Sequence, residues 1–178
     1  GQHMHVRRQR LPQLAARIDQ PGAMIKRKID RLGVQHLAPL AVFGHVDTDH
    51  TPDLDIPVEY LGFVDEDVLK GLYSDADVVV VPSRQEAFGQ TASESMASGT
   101  PVVAFDATGP QDIIDHKQTG YLASAYDPKD LAKGVEWTIT DQSRNKRLSR
   151  RAREVAERRF AIERVTGQHQ ELYQDIIA

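Results

Sequence analysis

The chain has 178 residues, of which 40% are hydrophobic and 27% charged, a globular balance in the size range of one ordinary domain with a full core. A net charge of −4 and the absence of cysteine remove any broad electrostatic reason to expect nucleic acid and exclude both a disulfide framework and a thiolate metal site. No apolar run approaches the roughly eighteen residues of a membrane-spanning helix.

The opening residues Gly1-Gln2-His3-Met4-His5 lack the apolar core of a signal peptide and resemble in part an expression-vector remnant. A cytoplasmic protein is the expectation, at most peripheral at the inner face of a membrane. Residues 6–32 carry helical periodicity, with Leu11, Leu14 and Ile18 on one stripe and Ile25, Ile29 and Leu32 on a second. Gln20-Pro21-Gly22 separates the two stripes, and Gly33 suits a helix stop. The basic residues here (Arg7, Arg8, Arg10, Arg17, Lys26, Arg27, Lys28 and Arg31) read as a solvated face, the alternative being that one or two reach a diphosphate. Residues 1–36 thus form a helical amino-terminal segment, ahead of a domain at 37–178.

Leu37 to Phe43 reads as a strand ending at Gly44, and His45 to Pro57 as a polar surface loop. Val58 to Val64 is the next strand with its exit turn. Asp65 caps a helix whose apolar positions Val68, Leu69, Leu72, Tyr73 and Ala76 fall on one face.

The four valines Val78 to Val81 form a short β-branched run, the pattern of a strand covered on both faces as in a parallel sheet, and Pro82 ends it. Gly89 allows a tight turn into a helix whose inner face is Ala92 and Met96, four apart. Gly99 is placed to stop that helix, and Thr100-Pro101 restarts extended backbone for the buried strand Val102 to Phe105. A strand, loop, helix and strand in this order put free helical N–H groups beyond the carboxyl end of a strand, where anions and phosphates bind. Glu86 in the loop and Glu94 inside the helix are both placed to face such a ligand.

Gly109 and Pro110 open a further helix start near the same edge, with Asp112 in its first turn, where the dipole favours an acid in any case. Gly120-Tyr121-Leu122 is a last short strand. Asp127 and Asp130 approximate a capping box for a helix presenting Leu131, Ala132, Val135 and Ile139. Residues 143–160 form a basic amphipathic helix with Leu148, Ala152, Val155 and Ala156 inward. The last helix carries Ile162, Val165, His169, Leu172, Tyr173 and Ile176 along one stripe, where His169 reads as a packed or partner-facing residue. The other histidines, among them His36, His45, His50 and His116, lack the paired spacing of a structural zinc site, and no metal is expected. Alternating strands and helices argue an α/β fold of Rossmann type, a doubly wound, mostly parallel sheet flanked by helices.

Pro82-Ser83, Glu86, Phe88-Gly89, Glu94, Met96-Ala97, Gly99 and Pro101-Val102-Val103-Ala104 together resemble the signature of the family-four retaining glycosyltransferases, which have the GT-B fold. In that family two glutamates are separated by seven residues, as Glu86 and Glu94 are here. The resemblance runs from about residue 37 to the end and implies the carboxyl-terminal, donor-binding half. It implies that Glu86, the candidate catalytic residue, meets the donor sugar and that Glu94 meets the ribose. Backbone groups of Ala87, Phe88 and Gly89 would line sugar and phosphate, with Thr91 near the phosphates and the turn Gly62-Phe63-Val64 near the base.

A carboxylate accepts two hydroxyl hydrogen bonds at once, so the two glutamates also suit a sugar and a ribose diol on chemical grounds. The bland readings are an unpaired surface acid for Glu94 and a core aromatic for Phe88. The resemblance further implies a nucleotide sugar as donor substrate, no cofactor, no essential metal and retention of configuration. It implies as partner an amino-terminal acceptor domain absent from these residues, or self-association through the same face around Leu172, Tyr173 and Ile176. The arginine and lysine-glycine pair that usually hold the diphosphate are not legible before residue 37. That departure keeps open a stand-alone nucleotide-sugar-binding or interaction module, and a sugar-nucleotide epimerase of the same architecture is a third reading.

Overall fold

The computed structural model describes residues 23–26, 40–44 and 57–177. The stripe Leu11, Leu14 and Ile18, the positions Ile29 and Leu32, the arginines before residue 20, the start of the strand expected at Leu37, and the polar loop from His45 to Ile56 lie outside the described residues.

Six strands form one sheet among the described residues: β1 (Ala23–Lys26), β2 (Leu40–Phe43), β3 (Val58–Gly62), β4 (Ala76–Val81), β5 (Val102–Phe105) and β6 (Gly120–Ala123). Their spatial order is β3-β2-β1-β4-β5-β6. β2 pairs parallel with β3, and β4, β5 and β6 pair parallel in turn, whereas β1 is antiparallel to both β2 and β4. Two antiparallel steps cancel, so β2 to β6 run the same way and share one carboxyl edge. The doubly wound, mostly parallel α/β sheet expected from the sequence is the architecture observed.

Strand β1 is a correction. Periodicity predicts helix through residues 6–32, yet Ala23 pairs with Val42 on one side and Val80 on the other. Pairing on both flanks satisfies both rows of backbone groups in the segment, a long-range gain that a local period does not register.

Among the described residues six helices follow: α1 (Glu66–Asp75), α2 (Gln90–Ala97), α3 (Pro110–Ile113), α4 (Pro128–Thr140), α5 (Gln142–Phe160) and α6 (Ile162–Ile177). The valines of β4 show how they cover the sheet. Val79 and Val81 join Met96, Ala92, Leu72 and the Ala152/Val155/Ala156 stripe of α5 on one face, while Val78 and Val80 join Leu131, Val135 and Ile139 of α4 on the other. A period of two thus feeds two cores, and each fully buried valine contributes about 1.5–3 kcal/mol.

The caps fall where expected. Asp65 accepts the Val68 amide at 2.9 Å, and Asp127 accepts the Lys129 and Asp130 amides at 2.9 and 3.3 Å. Two details differ. Ala76 opens β4 instead of closing the face of α1, and Val68 is 47% exposed, so Leu72 and Tyr73 carry the burial of that helix.

Candidate functional site

The residues proposed for sugar, phosphate and base lie at or beyond the shared carboxyl edge, whereas Lys26, one of the cations considered for the diphosphate, pairs with Ala76 at the amino end of β4, and the other amino-terminal cations lie outside the described residues. The loop from Pro82 to Gly89 leaves β4 at the carboxyl edge, the turn from Asp106 to Gly109 leaves β5, and the segment from Ser124 to Asp127 leaves β6. Gly89 holds φ +95° and starts α2 with no side-chain cap. Its carbonyl accepts the Ala92 and Ser93 amides at 2.9 and 3.1 Å. The amides of Gln90 and Thr91 precede that first bond, so they are the donors a helix start leaves for an anion. Thr91, half-buried, sits in that first turn as expected.

Two loops hold each other in place. A side chain at Gly109, where φ is +82°, would have its Cβ 2.9 Å from the Glu86 carbonyl oxygen, 3.0 Å from that of Phe88 and 3.1 Å from Glu86 Cγ. Only a glycine lets the β5 turn approach the Glu86 loop this closely. Glu86 is half-buried at this contact, and Ala87 beside it is exposed. Phe88, 53% exposed, is only partly a core aromatic: its ring meets Phe160 at the end of α5 edge-on, with centroids 6.0 Å apart.

Glu94 is not an unpaired surface acid. Tyr73 donates its hydroxyl to Glu94 Oε2 at 3.2 Å. Burial, and then the negative charge of Glu94, push the Tyr73 phenol well above its ordinary range, while a hydrogen bond with Thr91 works the other way. The phenol therefore remains a donor at any physiological pH and anchors one oxygen of the carboxylate. Sequence reasoning takes Tyr73 as a core residue, and it is one, packed edge-on against Phe43 at 5.9 Å. That its hydroxyl also reaches the site depends on α1 crossing beside α2, which no spacing reveals.

The Gly62-Phe63-Val64 turn lies at the same edge but on β3, with β2 and β1 between it and β4. At about 4.8 Å per strand the separation is about 14 Å. The Gly62 carbonyl accepts the Gly44 amide at 2.8 Å, Val64 packs on the core, and Phe63 stands 85% exposed. The turn and the Glu86 loop thus mark two ends of a strip along the edge without touching. Asp112 is exposed on α3, which is a single turn.

Arg84 and Tyr126 also belong to this edge and are missed by motif reasoning. Tyr126 has φ +61°, donates its hydroxyl to the Arg84 carbonyl at 3.1 Å and stacks under the Arg84 guanidinium at 5.4 Å. Its ring packs on Phe105 at 6.0 Å. Tyr126 ties the segment after β6 to the loop after β4 and brings a cation to the site. Of the described residues of α6, His169 is exposed and turned onto its own helix, Nδ1 lying 2.8 Å from the Val165 carbonyl.

Comparison with known proteins agrees with this fold. The pattern of the family described as glycosyl transferases group 1 matches residues 53–155. An uncharacterized glycosyltransferase of Methanocaldococcus jannaschii is 39% identical over 122 residues, which are 65% of this chain and 31% of that protein. Among solved structures, Anabaena HepE in complex with UDP-glucose superposes with a TM-score of 0.62 and 28% identity, over 68% of this chain and 33% of that one. Sucrose-phosphate synthase from Thermosynechococcus elongatus gives a TM-score of 0.63 and 34% identity, over 67% and 30% of the two chains. The chain spans about a third of the length of these relatives.

Proposed function

The chain belongs to the group 1 glycosyl transferases, and from that premise we propose that it is the nucleotide-sugar-binding half of a retaining enzyme that transfers a hexose to a polysaccharide or glycolipid acceptor. The observation that carries this reading is the glutamate pair around the Gly89 helix start, with Glu94 held by Tyr73 and the Glu86 loop held by Gly109. In this reading the α2 amides take a phosphate, Glu94 accepts the ribose diol and Glu86 accepts hydroxyls of the sugar beside the departing diphosphate. Ala87, Phe88 and Gly89 line that path with backbone groups, and Thr91 stands by the phosphates. The base reaches toward Gly62, Phe63 and Val64, about 14 Å along the edge at the ordinary strand spacing. Stabilisation of the leaving diphosphate by amides and cations, without a metal, supplies the catalytic electrostatics.

A UDP-sugar is the donor to try first, because the similar HepE structure contains UDP-glucose. The acceptor half is assigned to a partner domain, and the exposed stripe of α6, where Tyr173 is 59% and Ile176 73% exposed, is assigned as the surface that meets it. No helix among the described residues is long and apolar enough to cross a membrane.

The deciding experiment is calorimetry of UDP and UDP-glucose with the native chain and with Glu86→Ala. We expect the variant to lose affinity for the nucleotide sugar and to keep its affinity for UDP. Equal losses for both ligands would remove Glu86 from the sugar. A second reading, a binding module without turnover, is favoured by the missing arginine and lysine-glycine clamp. It predicts donor binding with no transfer even after the acceptor half of a relative is supplied in trans.

A further inference from the structure

The sheet has a second edge, and its chemistry is unlike the first. Around the turn that precedes β6 and the junction of α4 and α5, a groove of about 330 Å³ is lined by Lys117, Trp137, Arg144, Arg147, Arg150 and Arg151, with Gln118 and Leu148 completing the wall. Asn145 fixes it at the amino ends of the strands by donating its side-chain amide to the Asp77 carbonyl at 2.8 Å. The glutamate site and this groove therefore occupy opposite ends of the sheet.

Five cations face this groove in a chain whose net charge is −4. Nearby acids neutralise only part of that charge. Asp141 is engaged as the cap of α5, accepting the Ser143 and Arg144 amides at 2.9 and 3.0 Å, and its pair with the Arg144 guanidinium is long at 3.4 Å. Arg150 and Arg151 share the one carboxylate of Glu154, at 3.8 and 3.3 Å. Among the described residues Lys117 and Arg147 make no ion pair within 4.0 Å, although Asp141 also feels the charge of Arg147.

Holding these like charges together in a concavity costs energy unless an anion enters. The scaffold is nonetheless fixed. Arg144 donates to the Trp137 carbonyl and lies 4.5 Å from the indole centroid. Lys117 sits at φ +61°, with its ammonium 6.0 Å from the same ring and 5.7 Å from that of Tyr121. A left-handed backbone at a lysine is strain of the kind that persists at ligand sites.

We propose that this groove binds a phosphate-bearing anion, presented either as a soluble phosphate ester or as the headgroup of an anionic lipid. Several guanidinium forks converging on one cavity match the many acceptor directions of a phosphate better than a single carboxylate does. The cavity volume is at the small end of ligand pockets, enough for a phosphorylated headgroup or a small ester.

Trp137 is the only tryptophan of the chain, so its emission reports this groove and not the glutamate site. The test titrates the intact chain at low ionic strength with pyrophosphate in one arm and, in the other, with phosphatidic acid vesicles in phosphatidylcholine. Saturation by pyrophosphate assigns a soluble ester, and saturation only by the phosphatidic acid vesicles assigns a lipid headgroup. A flat response in both arms overturns the proposal.

Lys117→Gln combined with Arg147→Gln is expected to weaken the effective ligand by at least about tenfold. Should that pair fail to fold by circular dichroism, the single exposed change Arg147→Gln is used. Glu94→Ala is expected to leave the response unchanged. Undiminished binding in the groove variant, or loss of the response in Glu94→Ala, overturns the proposal while leaving the donor-site reading to its own experiment.

Discussion

At the carboxyl edge, Gly89 and Gly109 hold φ of +95° and +82°, and the absence of a side chain there shapes the loops of the proposed site. Gly120 and Gly134 instead have ordinary backbone angles and are required for room, while Gly99, which stops α2 ahead of β5, holds φ +78° with no close contact around it. A Cβ on Gly120 would lie 2.1 Å from the Val102 carbonyl oxygen, and one on Gly134 in α4 would lie 2.4 Å from the Tyr121 ring. The same residue type therefore shapes the loops of the proposed site through φ in one place and makes room for packing in another. The contrast teaches that a glycine in such a chain is informative only together with its φ and its nearest neighbours.

The strongest way to break the contrast is Gly120→Ala. The added carbon meets backbone, which cannot turn aside, so β6 must separate from β5 at a cost of about 3 kcal/mol or more. Urea unfolding should show a correspondingly lower midpoint. A variant as stable as the native chain would show that Gly120 is not there for close packing.

Gly109→Ala tests the other end. Here strain at positive φ and contact with the Glu86 and Phe88 carbonyls cost about 1–3 kcal/mol of stability. The larger consequence is displacement of the loop that carries Glu86, so calorimetry should show nucleotide-sugar affinity falling more than the stability loss alone explains. Lower stability with unchanged affinity would make the turn a packing element like Gly120.

Glu94→Ala sharpens the comparison without moving the backbone. The residue is exposed on α2, so the fold should persist, while binding of UDP weakens by about 1.5–3 kcal/mol through the lost charged acceptor. Tyr73→Phe should give a smaller loss, about 1 kcal/mol, because it removes only the anchor. A folded Glu94→Ala variant that binds UDP as tightly as the native chain refutes the ribose assignment.

The smallest effect is a pH dependence near the end of β6. Asp130 accepts the Ser124 amide at 2.8 Å, the Ser124 hydroxyl at 3.0 Å and the Tyr121 hydroxyl at 3.2 Å. The Ser124 amide above all, then the two hydroxyls and Lys133, hold its carboxyl below the ordinary range against the opposing effect of burial. A depressed folded value means that its contribution is present above the ordinary carboxylate pKa and is lost as pH falls through the depressed one. Urea midpoints measured from neutral pH downward should fall more steeply in the native chain than in Asp130→Asn. Parallel curves would exclude Asp130 as a contributor.

The stretch from β4 to α5 was legible because its patterns are local and mutually consistent. Val78 to Val81 can bury two faces only in a covered strand, Asp127-Pro128 starts a helix by capping chemistry, and Ala152, Val155 and Ala156 fall on one helical face. Glu86 and Glu94 were legible as a pair, since they sit in a window of many characteristic positions. β1 was not, because Ala23 to Lys26 are four residues whose partners β2 and β4 lie well down the chain, and Ile25 also fits a period with Ile29 and Leu32. The role of Tyr126 is not legible in the sequence, because a tyrosine carries no sign that its backbone will be left-handed. The contact between Tyr73 and Glu94 depends on how two helices cross, which neither helix encodes alone.

The edge-on pair of Phe88 and Phe160 has a mechanical consequence. Phe160 is the last residue of α5, and Ala161, with φ −59° and ψ 136°, alone separates it from α6. The exposed final helix is thus separated by one residue from a ring that packs edge-on against the loop carrying Glu86 and Phe88. Under the donor-half reading proposed above, a partner seated on α6 would press through Phe160 on Phe88 and so on the loop that carries Glu86.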